Sequence, residues 1–238
     1  MPAQEKVLWV VNYRRLQDFI DRSIAVGATA VAVRTDNDVA TAIPRLHEKG
    51  IRIYGWRWPS AQRDPAMREA DGAADLLAKG LDGYFADPEG ARGKPFDWDQ
   101  SGLEQLAEDF CTRITSAAPE KPFGTTSHYR ADKVFPKLPW RTFFKHSSIL
   151  LPQAYWRSDE GTIGHGPSDN YRVSLDCWVQ AGGDPGKIVP MAGELAHVSG
   201  TEIDAHVQEA NAQSITRLHF YTYEDRVPNG VWEAVKRA

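Results

Sequence analysis

Cysteine is scarce in this chain: Cys111 and Cys177 are the only two among 238 residues. Two cysteines so far apart make neither a disulfide framework nor a zinc motif, so both are expected as reduced packing residues. His47, His128, His146, His165, His197, His206 and His219 form no H-x-H, H-E-x-x-H or H-x-x-x-H pattern. A metal site would need side chains distant in sequence, for example Asp87 with His128 and His197. No metal and no other cofactor is expected. There is no G-x-S-x-G elbow, which argues against an α/β-hydrolase serine site. No G-x-G-x-x-G follows the first apolar run, which argues against a dinucleotide fold.

No apolar run is long enough to span a bilayer, and Met1–Lys6 lacks a basic stretch followed by an apolar one. Synthesis in the cytoplasm is expected, with delivery by a phage or secretion system if the substrate lies outside. Positive charge is not in excess either. The net charge of -4 gives no reason to expect nucleic acid or a membrane surface as partner.

What is present is an ordinary globular composition, 42% hydrophobic and 25% charged. Strand-like and helix-like runs alternate throughout. Strands are expected at 7–11, 29–34, 51–56, 82–87, 123–127, 149–155, 187–191 and 217–222. Helices are expected at 13–26, 38–49, 65–79, 102–117, 132–145 (broken by proline), 170–181, 202–213 and 230–237. Eight such pairs predict a single (β/α)8 TIM-type barrel domain over residues 1–238, expected to act as a monomer. Gly27, Gly50 and Gly80 fall where a helix hands over to the next strand and a positive φ is needed. Ser101-x-x-Glu104 and Thr201-x-x-Asp204 read as capping boxes, and Asp64-Pro65 as a helix start. The longer strand-to-helix loops, 88–100, 156–169 and 192–200, would gather at the C-terminal mouth, where such barrels place their sites.

The fourth strand ends in Asp87-Pro88-Glu89. Alternation puts both acids on one side. Two adjacent carboxylates tend to share a proton, which suits general acid catalysis. A salt bridge to a nearby arginine, or a helix-capping loop, is the plainer alternative. The neighbouring strand ends carry Asn12, Arg34, Tyr54, Trp56, Trp58, His128, Gln153, Tyr155, Glu194 and Tyr221. A cleft rich in rings and hydrogen-bonding groups suits sugars, because rings stack on pyranose faces while amides, acids and arginines read hydroxyls. Core packing is the alternative for each ring taken singly.

The order of these motifs resembles the glycoside hydrolase family 25 lysozymes and related barrels. Asp87-Pro88-Glu89 matches that family's D-x-E, and Tyr54-Gly55-Trp56 its Y-x-aromatic strand. Gln153-Ala154-Tyr155-Trp156 and Tyr221-Thr222-Tyr223 match its later strands. The resemblance implies Glu89 as general acid and Asp87 as the partner that orients an N-acetyl group or supports a water. It departs at Asn12, where the family carries an aspartate.

The resulting expectation is a glycosidase that cuts a β-linked amino-sugar polymer, with peptidoglycan the natural target (a muramidase-like activity). Glu89 and Asp87 would be catalytic, with Glu194 a candidate nucleophile. Arg34, Tyr54, Trp56, His128, Gln153, Tyr155 and Tyr221 would bind substrate. A carbohydrate-binding barrel without activity, or another hydrolase or lyase on the same barrel, are the alternatives.

Overall fold

The computed structural model describes residues 3–238. Its centre is a curled, all-parallel sheet of seven strands. In chain order these are β1 (Glu5–Val10), β2 (Ala30–Arg34), β3 (Arg52–Arg57), β4 (Gly83–Ala86), β5 (Phe123–His128), β6 (Ile149–Gln153) and β9 (Arg217–Phe220). The spatial order is β6-β5-β4-β3-β2-β1-β9. A two-stranded hairpin, β7 (Arg157–Ser158) with β8 (Gly161–Thr162), sits in the loop after β6.

The expected seventh barrel strand is not a regular strand. Residues 188–192 instead touch both sheet edges through isolated parallel bridges: Ile188 with Leu150, Met191 with Gln153, and Ala192 with Phe220. Val189 and Met191 donate amides to Leu150 and Pro152, and Ala192 exchanges bonds with β9 and the residue after it. Pro190 interrupts the donor ladder in the middle of this segment, which limits it to bridges.

Among the described residues eight α-helices surround the sheet: α1 (Leu16–Ala25), α2 (Val39–His47), α3 (Arg63–Ala78), α4 (Glu104–Ala117), α5 (Trp140–His146), α6 (Pro167–Gln180), α7 (Gly200–Ala212) and α8 (Asn229–Arg237). Strand alternation divides the apolar residues into two layers. Leu8, Val10, Val31, Val33 and Ile53 pack outward beneath the helices. Val7, Trp9, Ala32, Trp56, Phe85 and Met191 pack inward. The inner layer fills the curl: Trp9 stacks on Phe85 at 5.4 Å and meets Trp56 at 5.5 Å. Small residues make room for these rings. A Cβ on Gly124 would fall 2.8 Å from the Phe85 ring.

The local signals hold in part. Gly27, Gly50 and Gly80 all have positive φ, at 68°, 69° and 109°. The two expected capping boxes do not form. α4 starts after Leu103 without a side-chain cap, and the α7 box is made by Ser199 and Glu202 rather than Thr201 and Asp204. α3 begins at Arg63, so Pro65 is its third residue, not its first. The expected helix at 132–145 is a short 3-10 turn plus α5, because Pro136 and Pro139 separate them. Cys111 and Cys177 are both free.

Candidate active site at the mouth of the sheet

Asp87 follows β4 directly, and its amide continues the ladder by bonding to the Arg57 carbonyl at 2.9 Å. The loop beyond is pinned by Trp98, which is fully buried. Its amide bonds to the Glu89 carbonyl at 2.8 Å and its indole N–H to the Pro59 carbonyl at 2.8 Å. Ser127 on β5 donates to the Pro88 carbonyl at 2.7 Å. The D-x-E backbone is therefore fixed from three sides.

Asp87 is 3% exposed, whereas Glu89 stays partly open. Gln153 on β6 donates its amide to Asp87 Oδ1 at 2.9 Å, and also stands within hydrogen-bonding reach of Glu89. Burial, then the neighbouring Glu89, pushes the Asp87 carboxyl well above the usual carboxylate range. Burial raises Glu89 as well. The Trp58 indole N–H lies close enough to favour the charged form of Asp87, but makes no well-aligned hydrogen bond.

Tyr155 and Tyr221 stack face to face above this pair, with centroids 5.3 Å apart and 14° between planes. Burial raises both phenols, and the charges of Asp87, Glu89 and Glu194 add to the effect. The backbone brings Glu194 to the same mouth, because the next residue, Leu195, donates its amide to the Tyr221 carbonyl at 3.0 Å. Glu194 is half-buried and raised by burial, with His197 Nε2 3.6 Å from its carboxylate. The structure thus gathers Asp87, Glu89, Gln153, Tyr155, Glu194 and Tyr221 into one constellation. Among the described residues no group of histidine, cysteine and acidic side chains is disposed to hold a metal ion, the Asp87–His128–His197 combination included.

Other expected residues lie elsewhere. Tyr54 does not reach the mouth. It is the third residue of β3 and sits at the opposite, N-terminal end, donating to Glu5 at 2.7 Å. Alternation gives the face correctly but not the height along the strand. Trp56 is also not at the surface of the mouth: it is 1% exposed and its indole N–H bonds to the Val10 carbonyl at 3.0 Å. The ring that reaches the acids from this strand is Trp58, two residues on. His128 stacks on Tyr129 at 4.9 Å and packs against Phe135. Burial lowers its pKa to about 4, so it is neutral near pH 7. Its partners belong to the loop after β5, not to the carboxylate group. Arg34 bonds to Asp36 at 2.7 Å and to Asn12 at 3.0 Å, in a groove to one side of the carboxylate pair that does not include the acids themselves. Sequence patterning shows Trp58 on the correct face but not its reach to the acids, and nothing local marks Trp98 as the pin.

No protein-family model and no curated protein sequence matches the chain. Solved structures do resemble it. One is a glycoside hydrolase family 2 β-galacturonidase from Eisenbergiella tayi, with TM-score 0.68 and 12% identity over 99% of this chain and 50% of that one. A second is an α-galactosidase from Thermus thermophilus, with TM-score 0.60 and 14% identity over 100% of this chain and 66% of that one. A third is the aldolase QR15, with TM-score 0.61 and 9% identity over 96% of this chain and 92% of that one. The chain spans about half the length of the galacturonidase. At these identities the likeness is one of fold.

Proposed function

We propose that this chain is a glycosidase for a β-linked amino-sugar polymer, peptidoglycan foremost, built on a (β/α)8 barrel in which residues 188–192 serve as the missing stave. The observation that carries the reading is the buried Asp87–Glu89 pair, held by neutral groups alone at the C-terminal ends of the strands. Such a pair retains a proton that an isolated carboxyl would lose. Glu89 is the partly open member, so it is the one that can reach a glycosidic oxygen. It donates its proton as the C–O bond breaks. Asp87, enclosed and bonded to Gln153, balances the charge or positions an N-acetyl group. Glu194 is the third acid at the mouth and the candidate nucleophile. The ordered motifs resembling family 25 lysozymes support the roles of Glu89 and Asp87, and glycosidases occur among the structures of similar fold.

Aldolases share the fold too. An imine-forming aldolase needs a reactive amine. The lysine on a sheet strand, Lys6, has its ammonium bonded to the carbonyls of Val26 and Lys236 at 3.1 Å each, away from the mouth. A binding barrel without activity is favoured by one observation: Asn12 replaces the acid that family 25 carries and is engaged by Arg34. The deciding experiment measures reducing-end release from peptidoglycan and chitin oligomers. Glu89→Gln should lower turnover about 10²–10⁴-fold while the protein stays folded. Near-wild-type turnover in the folded variant would sink the assignment, and no turnover by the wild type would favour the binding barrel.

A further inference from the structure

A groove of about 470 Å³ opens beside the carboxylate pair, between the ends of β2 and β3 and the tip of the loop after β4. Its walls include Arg34, Arg57, Trp58, Pro95 and the exposed ring of Phe96. That volume lies within the roughly 300–1,000 Å³ of ordinary ligand clefts. Trp58 joins groove and site, because the same indole lines the groove and turns its N–H toward Asp87.

The two guanidiniums differ in how they are satisfied. Arg34 is engaged by Asp36 at 2.7 Å and Asn12 at 3.0 Å. Arg57 is engaged more loosely: its buried Nε forms an ion pair with Glu69 Oε1 at 3.4 Å but no aligned hydrogen bond. Glu69 meanwhile accepts the Ser60 amide on Oε2 at 2.7 Å. About a third of the Arg57 side chain stays exposed. A guanidinium that is a third exposed and held on one side by Glu69, next to an aromatic wall, can offer its outer edge to a planar anion.

We propose that this groove is a sugar subsite selective for an acidic unit, with Arg57 binding the unit's carboxylate and Trp58 walling its ring. This deepens the glycosidase reading and rests on it. The carboxylate can be a lactyl ether or a uronic acid, since both present the same group.

Binding is measured by calorimetry in the Glu89→Gln protein, so that turnover does not interfere. The probes are a peptide-free N-acetylglucosamine–N-acetylmuramic acid tetrasaccharide, a hyaluronan tetrasaccharide, and the carboxyl-reduced form of each. At least one acidic probe should bind tenfold or more tightly than its reduced form. Adding Arg57→Gln should bring that ratio close to one, and Arg57→Lys should restore part of it. Which acidic probe shows the preference identifies the source of the carboxylate. Equal binding of acidic and reduced probes, or a ratio that survives Arg57→Gln, overturns the subsite while leaving the carbohydrate reading intact. If no probe binds at all, the carbohydrate reading fails and the subsite with it. Should Arg57→Gln not fold, the reduced probes and Arg57→Lys decide between the same outcomes.

Discussion

The two ends of the curled sheet treat buried carboxylates in opposite ways. At the N-terminal end Glu5 is surrounded by donors: Tyr54 at 2.7 Å, Arg52 at 2.7 Å and Arg217 at 3.7 Å. Three strands, β1, β3 and β9, are tied together through that one side chain. At the C-terminal end Asp87 and Glu89 have only the Gln153 amide and the Trp58 indole to favour their charged forms. Among the described residues no basic group pairs with either acid. A carboxylate ringed by cations lowers the energy of the fold, and a cation-free pair raises it. Arginines do stand at the mouth, at the ends of β2 and β3, but Arg34 pairs with Asp36 and Arg57 with Glu69 rather than with Asp87 or Glu89. That pairing separates the end built for stability from the end that keeps reactive acids.

The largest effects should fall at the mouth and in the packed layer beneath it. Glu89→Gln, with its loss of about 10²–10⁴-fold in turnover, corresponds to about 3–5 kcal/mol of barrier. Its unfolding midpoint in denaturant should stay close to that of wild type. Trp56→Ala should remove a comparable amount, about 3–5 kcal/mol, but from stability. Trp56 fills the space between Trp9, Trp58 and Tyr221, and leaves its bond to Val10 unmade when truncated. Denaturant unfolding checks this. A stable Trp56→Ala protein with weakened sugar binding would instead return Trp56 to the substrate cleft.

The sheet was legible because apolar runs and glycine punctuation repeat at regular intervals, and the first six expected strands recur nearly in place along with the last. The segment at 187–191 failed as a strand because the apolar pattern is right while Pro190 withholds a donor. Asp87 and Glu89 were legible because a period of two fixes their common face. Tyr54 and Trp56 were misplaced for the complementary reason. Periodicity carries no information on depth, which is set by where the register begins, here Tyr54 opposite Gly83 at the start of β4. The role of Glu5 was invisible, since its three partners come from residues 52, 54 and 217 and no local pattern announces them.

Glu5→Gln tests the floor. Glutamine can still accept the Tyr54 hydroxyl but no longer pairs with the two arginines. Both arginines are about half exposed, so solvent screens much of the attraction. The expected loss is about 1–2 kcal/mol of stability. Turnover of the folded protein should remain within about twofold of wild type, as expected for a group that acts on stability alone. A large fall in turnover with unchanged stability would break the division between the two ends.

Asp87→Asn gives the finest test, because it should do the reverse: stabilise the fold while harming activity. The folded-state pKa of Asp87 lies well above its ordinary value of 3.8, chiefly through burial and then through Glu89. The favourable contribution of the neutral carboxyl is therefore fully present below pH 3.8 and is lost as pH rises through the raised value. Asparagine carries no charge at any pH and keeps an oxygen for Gln153. The variant should be more stable than wild type at pH 8, where the wild-type carboxyl must be either charged in a buried site or protonated against the solvent. That advantage should shrink toward zero as the pH approaches 3.8. His206 and His219, whose pKa values burial lowers to about 3, destabilise both proteins alike as the pH falls below 6.5, so they cancel in the difference. Thermal unfolding of the two proteins across this range measures it. A variant less stable at every pH, or an advantage that does not change with pH, would show that the Asp87–Gln153 bond outweighs the buried charge, and the mouth would then resemble the floor.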